Sequence, residues 1–243
     1  MERDEQLTAP LLGMLTPVPA AGRGVCRVCH RSSPGGYDRC ESCRLTMGQV
    51  ANPIELVVPI SLYQSNDSLW NLLRNYKDST DPVVRQRQSN RLAAVLARFL
   101  RLHAGCIHRA GGGEWDLVTV VPPSKARVEA QPLLAVLDRV GSVREQAQVT
   151  LETVARPGHR RASDEAYRVV VPVGGRRVLL VDDTLTSGAA LQSAASALAA
   201  GGATVVAGLV IGRVIDGGFS REEKELWTRQ RRERFSFDRC CLE

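Results

Sequence analysis

The sequence lacks any long uninterrupted apolar segment. No run of about 18 apolar residues is free of both charge and proline, so no bilayer-spanning helix is expected. The N-terminus opens with acidic and basic residues, and the apolar stretch behind it is broken by Pro10, Pro17 and Pro19, which argues against a secretory signal. Aromatic residues make up only 5% of the chain, which leaves few rings for stacking on nucleic-acid bases. These shortages favour a cytoplasmic chain without a membrane span.

What the sequence does have is an ordinary globular composition. With 44% hydrophobic and 24% charged residues over 243 positions, it can bury a core, which excludes collagen-like, coiled-coil and wholly disordered chains. The length corresponds to one large domain or two small ones. We expect a flexible, Pro- and Ala-rich lead-in over residues 1–24, a metal module over 25–47, an α/β domain over 51–216 and a charged tail over 217–243.

Four of the seven cysteines form two pairs with the spacing of a metal site. Two residues separate Cys26 from Cys29 and Cys40 from Cys43, and ten residues lie between the pairs. Four thiolates suit a tetrahedral zinc and leave no position open for water, so the zinc would be structural. Two disulfides or four incidental cysteines are the alternatives, and the missing secretory signal and the regular spacing weigh against them. The turn-rich residues 31–36 between the pairs are typical of a small zinc ribbon.

The other three cysteines do not share this spacing. Cys106 lies two residues before His108, and Cys240 and Cys241 are adjacent. They could form a second metal site, but adjacent cysteines are awkward chelators and no matching ligands lie nearby in the sequence. We therefore expect a buried thiol at Cys106 and a reduced tail at Cys240 and Cys241.

Strand-like and helix-like segments alternate along most of the chain. Asp67 before an apolar-periodic stretch and Asp81 before Pro82 each predict a helix start, because a carboxylate can accept hydrogen bonds from the free amides of the first turn. Apolar strands are predicted at residues 54–60, 117–121, 168–171, 177–181 and 203–211, and helices over 82–103, 131–140 and 188–200. Because these strands are apolar throughout, the pattern predicts an α/β fold, a parallel sheet with helices on both faces, preceded by the small zinc ribbon.

The net charge of +6 is concentrated in one segment. Residues 82–113 contain six arginines and no Asp or Glu, whereas the rest of the chain is balanced. On a helix, four of these arginines fall within a wedge of roughly 80°, apart from the apolar face. We name this set the arginine face; it consists of Arg87, Arg91, Arg98 and Arg101. It could contact the phosphates of DNA or RNA, or it could be an ordinary solvated helix surface.

The segment over residues 178–191 has the clearest chemical logic. An apolar strand delivers Asp182 and Asp183, a turn containing Thr and Ser follows, and a helix begins near Gly188. Free amides at a helix start, together with the turn hydroxyls, suit a phosphate monoester. The carboxylates can accept hydrogen bonds from the vicinal hydroxyls of a ribose. An ordinary strand-turn-helix is the alternative, but it gives no packing reason for two adjacent acids at a buried strand end.

Residues 178–191 resemble the phosphoribosyl pyrophosphate (PRPP) motif of type I phosphoribosyltransferases. The resemblance implies that Asp182 and Asp183 form the catalytic pair at the ribose hydroxyls, with magnesium bridging those hydroxyls and the pyrophosphate. It also implies that the turn that binds PRPP consists of Thr184, Thr186, Ser187, Gly188, Ala189 and Ala190. Ala190 stands where the family often has a hydroxyl residue, which leaves its backbone amide as the phosphate donor.

A second loop follows the predicted strand at 117–121. In the same family the corresponding loop holds pyrophosphate, and by position it contains Ser124, Lys125 and Arg127 here. Surface bases at a solvated helix start are the alternative.

The order of these motifs is similar to that of the ComF family, named for competence-associated proteins of bacterial DNA uptake. Zinc knuckles, the pair Tyr76-Lys77, a Val-Pro strand end and the PRPP motif follow one another over residues 25–215. The resemblance leaves three functions open. They are transfer of phosphoribosyl from PRPP to a nitrogenous acceptor with release of pyrophosphate, non-catalytic sensing of PRPP or a nucleotide, and a competence role in which the arginine face and the zinc ribbon bind nucleic acid.

Overall fold

The computed structural model describes residues 2–123 and 131–243. Its helices are α1 (Glu2–Thr8), α2 (Glu41–Met47), α3 (Ser68–Asp78), α4 (Pro82–Ala110), α5 (Pro132–Leu137), α6 (Ala189–Ala200) and α7 (Arg221–Arg232). Its strands are β1 (Val57–Tyr63), β2 (Leu117–Val120), β3 (Leu151–Thr153), β4 (Tyr167–Val169), β5 (Arg177–Leu185) and β6 (Thr204–Val214). Short 3₁₀ turns cover Ala9–Met14 and Pro34–Gly36.

A four-stranded parallel sheet lies at the centre, with the strand order β1-β6-β5-β2. Successive side chains of a strand point to opposite faces, and β5 shows the result. Val178 and Leu180 pack in the cluster that contains α6, whereas Leu179 and Val181 pack in the cluster that contains α3, α4 and α5. Helices therefore cover both faces of the sheet, which confirms the predicted α/β architecture.

The predicted strand near residues 168–171 lies outside this parallel sheet. It forms β4, which pairs antiparallel with β3 in a separate two-stranded ribbon. Its exposed Arg168 alternates with buried Tyr167, so one face is solvated. Such a half-exposed strand suits an antiparallel pair better than the doubly covered centre of a parallel sheet.

The predicted helix starts are confirmed by their capping contacts. Asp67 Oδ1 accepts a hydrogen bond from the Trp70 amide at 2.9 Å, and Asp81 Oδ1 accepts one from the Val83 amide at 2.8 Å. Helix α4 continues to Ala110, beyond the predicted end near residue 103, because Ile107 is buried in the core. Its last turn closes where the Gly111 amide donates to the Ile107 carbonyl at 2.8 Å.

The N-terminal segment differs from the flexible lead-in that its composition predicts. Leu11 and Leu15 are buried in the main core, and the Leu62 amide of β1 donates to the Thr16 carbonyl at 3.0 Å. Proline is tolerated here because a short 3₁₀ turn needs few backbone donors. Apolar burial outweighs the weak local propensity of the segment.

The charged C-terminal segment also packs onto the molecule. Phe237 is buried in the main core, and fully buried Glu223 of α7 pairs with Arg31 at 2.9 Å. This ion pair joins α7 to the cysteine module. Within the described residues, no helix combines the length and apolar character needed to cross a bilayer.

Candidate functional site

A cavity of about 570 Å³ opens at the carboxyl ends of the parallel strands. Its wall includes a residue at or near the end of each of the four strands, namely Tyr63, Val120, Thr184 and Val214. The crevice beyond the carboxyl ends is where open α/β sheets bind their ligands. The end of β5 and the turn after it, both within residues 178–191, therefore lie where sheets of this kind bind ligands.

Asp183 is held by two donors from the end of α3. Its Oδ2 accepts a hydrogen bond from the Tyr76 hydroxyl and forms an ion pair with Lys77 Nζ at 2.6 Å. The Asp183 side chain is only 12% exposed, so the cation compensates a carboxylate that has lost most of its hydration. The sequence names Tyr76 and Lys77 only as part of the motif order, and the structure gives them this contact.

Asp182 lies beside Asp183 and lines the same cavity. Burial, and secondarily the neighbouring charge of Asp183, raises the pKa of Asp182 to about 8. Its Oδ1 accepts a hydrogen bond from the Asp183 amide at 2.8 Å. The carboxyl is therefore mostly protonated near neutral pH, and a cation or hydroxyl donors in the cavity would favour its ionised form.

The turn after β5 follows this carboxyl pair in the chain and contributes further polar groups. Gly188 has a φ of 85°, a left-handed conformation that favours glycine, and α6 begins at the next residue. Ser187 Oγ accepts hydrogen bonds from the Arg160 amide at 3.2 Å and the Ala189 amide at 3.4 Å. The Tyr63 hydroxyl lies 3.2 Å from Thr184 Oγ1. The turn is thus fixed by contacts from distant segments.

The structure brings five of the eleven predicted ligand residues to the cavity. The members that line the cavity are Asp182, Asp183, Thr184, Thr186 and Ala190. Ser187, Gly188 and Ala189 lie in the same turn but are not among the lining residues. Ser124, Lys125 and Arg127 fall outside the described residues, although Pro122 and Pro123 just before them line the cavity.

Two further basic residues, which the sequence analysis did not single out, line the cavity. Arg74 is three residues before Lys77 on α3, and Arg156 comes from the polar stretch after β3. Residues three apart share a helix face, so the position of Lys77 could have pointed to Arg74. No sequence pattern pointed to Arg156, because its position at the cavity depends on the path of the long irregular loop after β3.

The four paired cysteines converge as predicted. Their sulfur atoms all lie within 4.8 Å of one another, and Cys29 Sγ is 3.6 Å from Cys40 Sγ. A tetrahedral zinc with Zn–S bonds of about 2.3 Å places its sulfurs about 3.8 Å apart, so the cluster fits the ion. All four cysteines are buried, with Cys40 at the start of α2 and Cys43 within it. The donor set is that of a closed, structural zinc site.

Buried Arg213 at the end of β6 connects this cysteine cluster to the turn after β5. Its Nη1 donates to the Leu185 carbonyl at 2.8 Å and also to the Thr186 carbonyl. Its Nη2 lies 3.6 Å from Cys29 Sγ, where it can donate to a thiolate. One guanidinium thereby contacts both the metal module and the cavity turn.

The arginine face is not continuous. Arg98 donates to Thr8 Oγ1 at 2.7 Å and its guanidinium lies over the Phe237 ring, 4.6 Å from the centroid. Arg101 is 3.8 Å from the Glu5 carboxylate. Two of the four arginines thus hold chain ends against α4, whereas Arg87 is exposed and Arg91 is partly exposed.

These features define an α/β protein with a cysteine-rich module and a cavity lined by paired carboxylates at the carboxyl ends of its sheet. No family model matches the chain. The chain is similar to proteins named DNA utilization protein YhgH, with 27% identity over 223 residues to the one from Escherichia coli (strain K12). The proteins of that name from Escherichia coli O157:H7 and Salmonella typhimurium (strain LT2) are 28% identical. Each comparison covers 82% of this chain and 96% of the relative.

Proposed function

We propose that this chain is a ComF-type protein that binds PRPP with magnesium in the cavity at the carboxyl ends of the sheet. The main support is the placement of Asp182 and Asp183 beside a glycine turn that opens α6. The carboxylates can accept hydrogen bonds from ribose hydroxyls, and the amides of the turn can donate to the 5-phosphate. Lys77, which is paired with Asp183, and Arg74 add positive charge to the lining of the cavity.

The same residues suit phosphoribosyl transfer. The bond between ribose C1 and the pyrophosphate oxygen would break as a nitrogenous acceptor attacks C1, so positive charge develops on the ribose ring. Asp182 and Asp183 would stabilise that charge, and the bases near the cavity would stabilise the leaving pyrophosphate. When bound, magnesium would be held near Asp182 and Asp183 and would neutralise part of the pyrophosphate charge. No side chain has to form a covalent intermediate.

Calorimetric titration with PRPP and magnesium tests the binding proposal. Asp183→Asn keeps the size of the side chain but removes the charge, so PRPP affinity should fall about ten- to a hundredfold, the cost of one charge-assisted hydrogen bond. Asp116→Asn is the control, because Asp116 is also ion-paired, with Arg176, but lies just before β2, at the opposite end of the sheet. A parent protein that gives no binding heat at millimolar PRPP would overturn the proposal.

Gly188→Val provides a second test of the turn. An added Cβ would meet no atom closer than 3.8 Å, but the left-handed φ of 85° is strained for a residue with a side chain, and most of all for β-branched valine. PRPP should then lose its stabilising effect against heat while the rest of the fold persists. Release of pyrophosphate in the presence of candidate acceptors separates a transferase from a sensor, since a sensor binds PRPP without turnover.

A role in DNA utilization is the second candidate, and the name of the relatives favours it. Arg98 and Arg101 of the arginine face contact α1, so replacing them would disturb its packing. Arg87 and Arg91 can be replaced without loss of those contacts. Replacing both with Gln should weaken binding to double-stranded DNA and reduce the salt slope by about 0.9 for each DNA phosphate that the variant no longer neutralises. Arg168→Gln, at the exposed position of β4, is the control. Absence of DNA binding by the parent at low salt would remove this candidate.

A further inference from the structure

A second cluster of metal-ligating side chains lies far along the chain from the four paired cysteines. His103 and Cys106 come from the second half of α4, and Cys240 and Glu243 come from the C-terminal segment. One potential ligand atom from each residue lies within 4.8 Å of the others. Cys106 Sγ is 3.7 Å from His103 Nδ1 and 3.1 Å from Glu243 Oε1. The distance between His103 Nδ1 and Glu243 Oε1 is 3.7 Å.

The histidine is oriented as a metal ligand would be. His103 Nε2 lies 2.7 Å from the Phe237 carbonyl oxygen, which can only accept, so this nitrogen holds the ring proton. Nδ1 therefore presents a lone pair to its two neighbours, the Cys106 sulfur and the Glu243 carboxylate. A carbonyl on the remote ring nitrogen is the usual partner that fixes the tautomer of a metal-bound histidine. His103 is only 2% exposed and its ring packs on Phe99, so the direction of the ring is set before an ion binds.

A cation lies beside one of the sulfur atoms, and the cluster is open enough for an ion to enter. Arg109 Nη2 lies 3.6 Å from Cys106 Sγ, where it can donate a hydrogen bond to a negatively charged sulfur. Cys106 and Cys240 are partly exposed, and the Glu243 side chain is 45% exposed. The cluster is therefore open to solvent on one side and fixed by His103 on the other.

We propose that these four residues bind a zinc ion that fastens the C-terminal segment to α4. One imidazole, two thiolates and one carboxylate form a donor set that zinc accepts in a tetrahedron. Bonds of about 2.0–2.3 Å require ligand atoms about 3.3–3.8 Å apart, which agrees with two of the three distances and needs only a small movement of exposed Glu243 for the third. Bound zinc would replace three weak contacts with coordinate bonds and so reduce fraying of the last residues.

This site changes the expectation drawn from cysteine spacing. The partner of Cys106 is Cys240, whereas Cys241 is buried in the main core. The histidine is His103, one turn before Cys106, whereas the ring of His108 packs edge-on against Trp115 with centroids 4.2 Å apart. The ligands that the neighbouring sequence does not provide come from a segment more than a hundred residues away.

Zinc stoichiometry of the reduced, full-length protein tests the proposal. After saturation with zinc and removal of loosely held ion, the parent should retain two zinc ions per chain. Cys240→Ala should retain one, and Cys241→Ala, which removes the adjacent thiol outside the cluster, should retain two. Cobalt provides a second measurement, because the thiolate-to-cobalt absorption of Cys240→Ala should fall relative to both the parent and Cys241→Ala.

Alkylation separates a metal site from a pair of exposed thiols. Cys106 and Cys240 should react with a thiol reagent in the zinc-free protein and should be protected when zinc is added. Retention of only one zinc by the saturated parent, two zinc ions in Cys240→Ala, or equal alkylation with and without zinc would each overturn the proposal.

Discussion

Substitution of Arg213 is the sharpest test of how the metal module and the cavity turn depend on each other. Arg213→Met keeps the length and the apolar stem of the side chain but removes the guanidinium. The variant cannot donate hydrogen bonds to the carbonyls of Leu185 and Thr186 or to Cys29 Sγ. Because Arg213 is only 1% exposed, water does not replace these donors.

The size of the effect follows from that burial. Removal of one partner from a buried charged network costs about 3–5 kcal/mol, since the remaining groups stay desolvated without a partner. With a urea dependence of about 1–3 kcal/mol per molar, the unfolding midpoint should fall by roughly 1–5 M. Zinc should also leave the variant more readily, because the Cys29 thiolate loses its compensating charge.

Urea unfolding and zinc transfer to a competing chelator measure these two effects. Arg168→Met is the control, because that arginine also forms an ion pair, with Glu152, but its side chain is 70% exposed. The control should show little change in either measurement. A loss below about 1 kcal/mol for Arg213→Met, with zinc retained as in the parent, would refute the reasoning that this guanidinium supports both sites.

Two further predictions concern the zinc cluster and the Asp182 carboxyl. Cys40→Ser should lower the zinc content by one ion per chain in elemental analysis, and an unchanged content would contradict the tetrahedral site. Asp182 has a pKa of about 8 in the folded chain against 3.8 as its ordinary value, so folding takes up a proton between those values. The free energy of unfolding of the parent should therefore fall, relative to that of Asp182→Asn, as pH rises from about 4 to about 8. A pH-independent difference between the two urea midpoints would show that Asp182 ionises freely.

The sequence by itself determined the features that depend on near neighbours. The spacing of Cys26, Cys29, Cys40 and Cys43 predicted a cluster, because two residues between ligands let a turn present both sulfurs to one ion. Asp67 and Asp81 marked helix starts through contacts only two or three residues long. The strand, acids, turn and helix of residues 178–191 likewise follow from local pattern, and so does the parallel sheet that the apolar strands require.

Only the tertiary structure decided which distant groups meet. The contact of Lys77 with Asp183 joins residues 106 positions apart, and that of Arg213 with Cys29 joins residues 184 positions apart. The burial of Leu11 likewise depends on the core that the rest of the chain forms. Composition and periodicity describe the propensity of a segment, but not the surface against which it packs. For this reason the residues of the cavity turn were visible in the sequence, whereas the cations that compensate and position them were not.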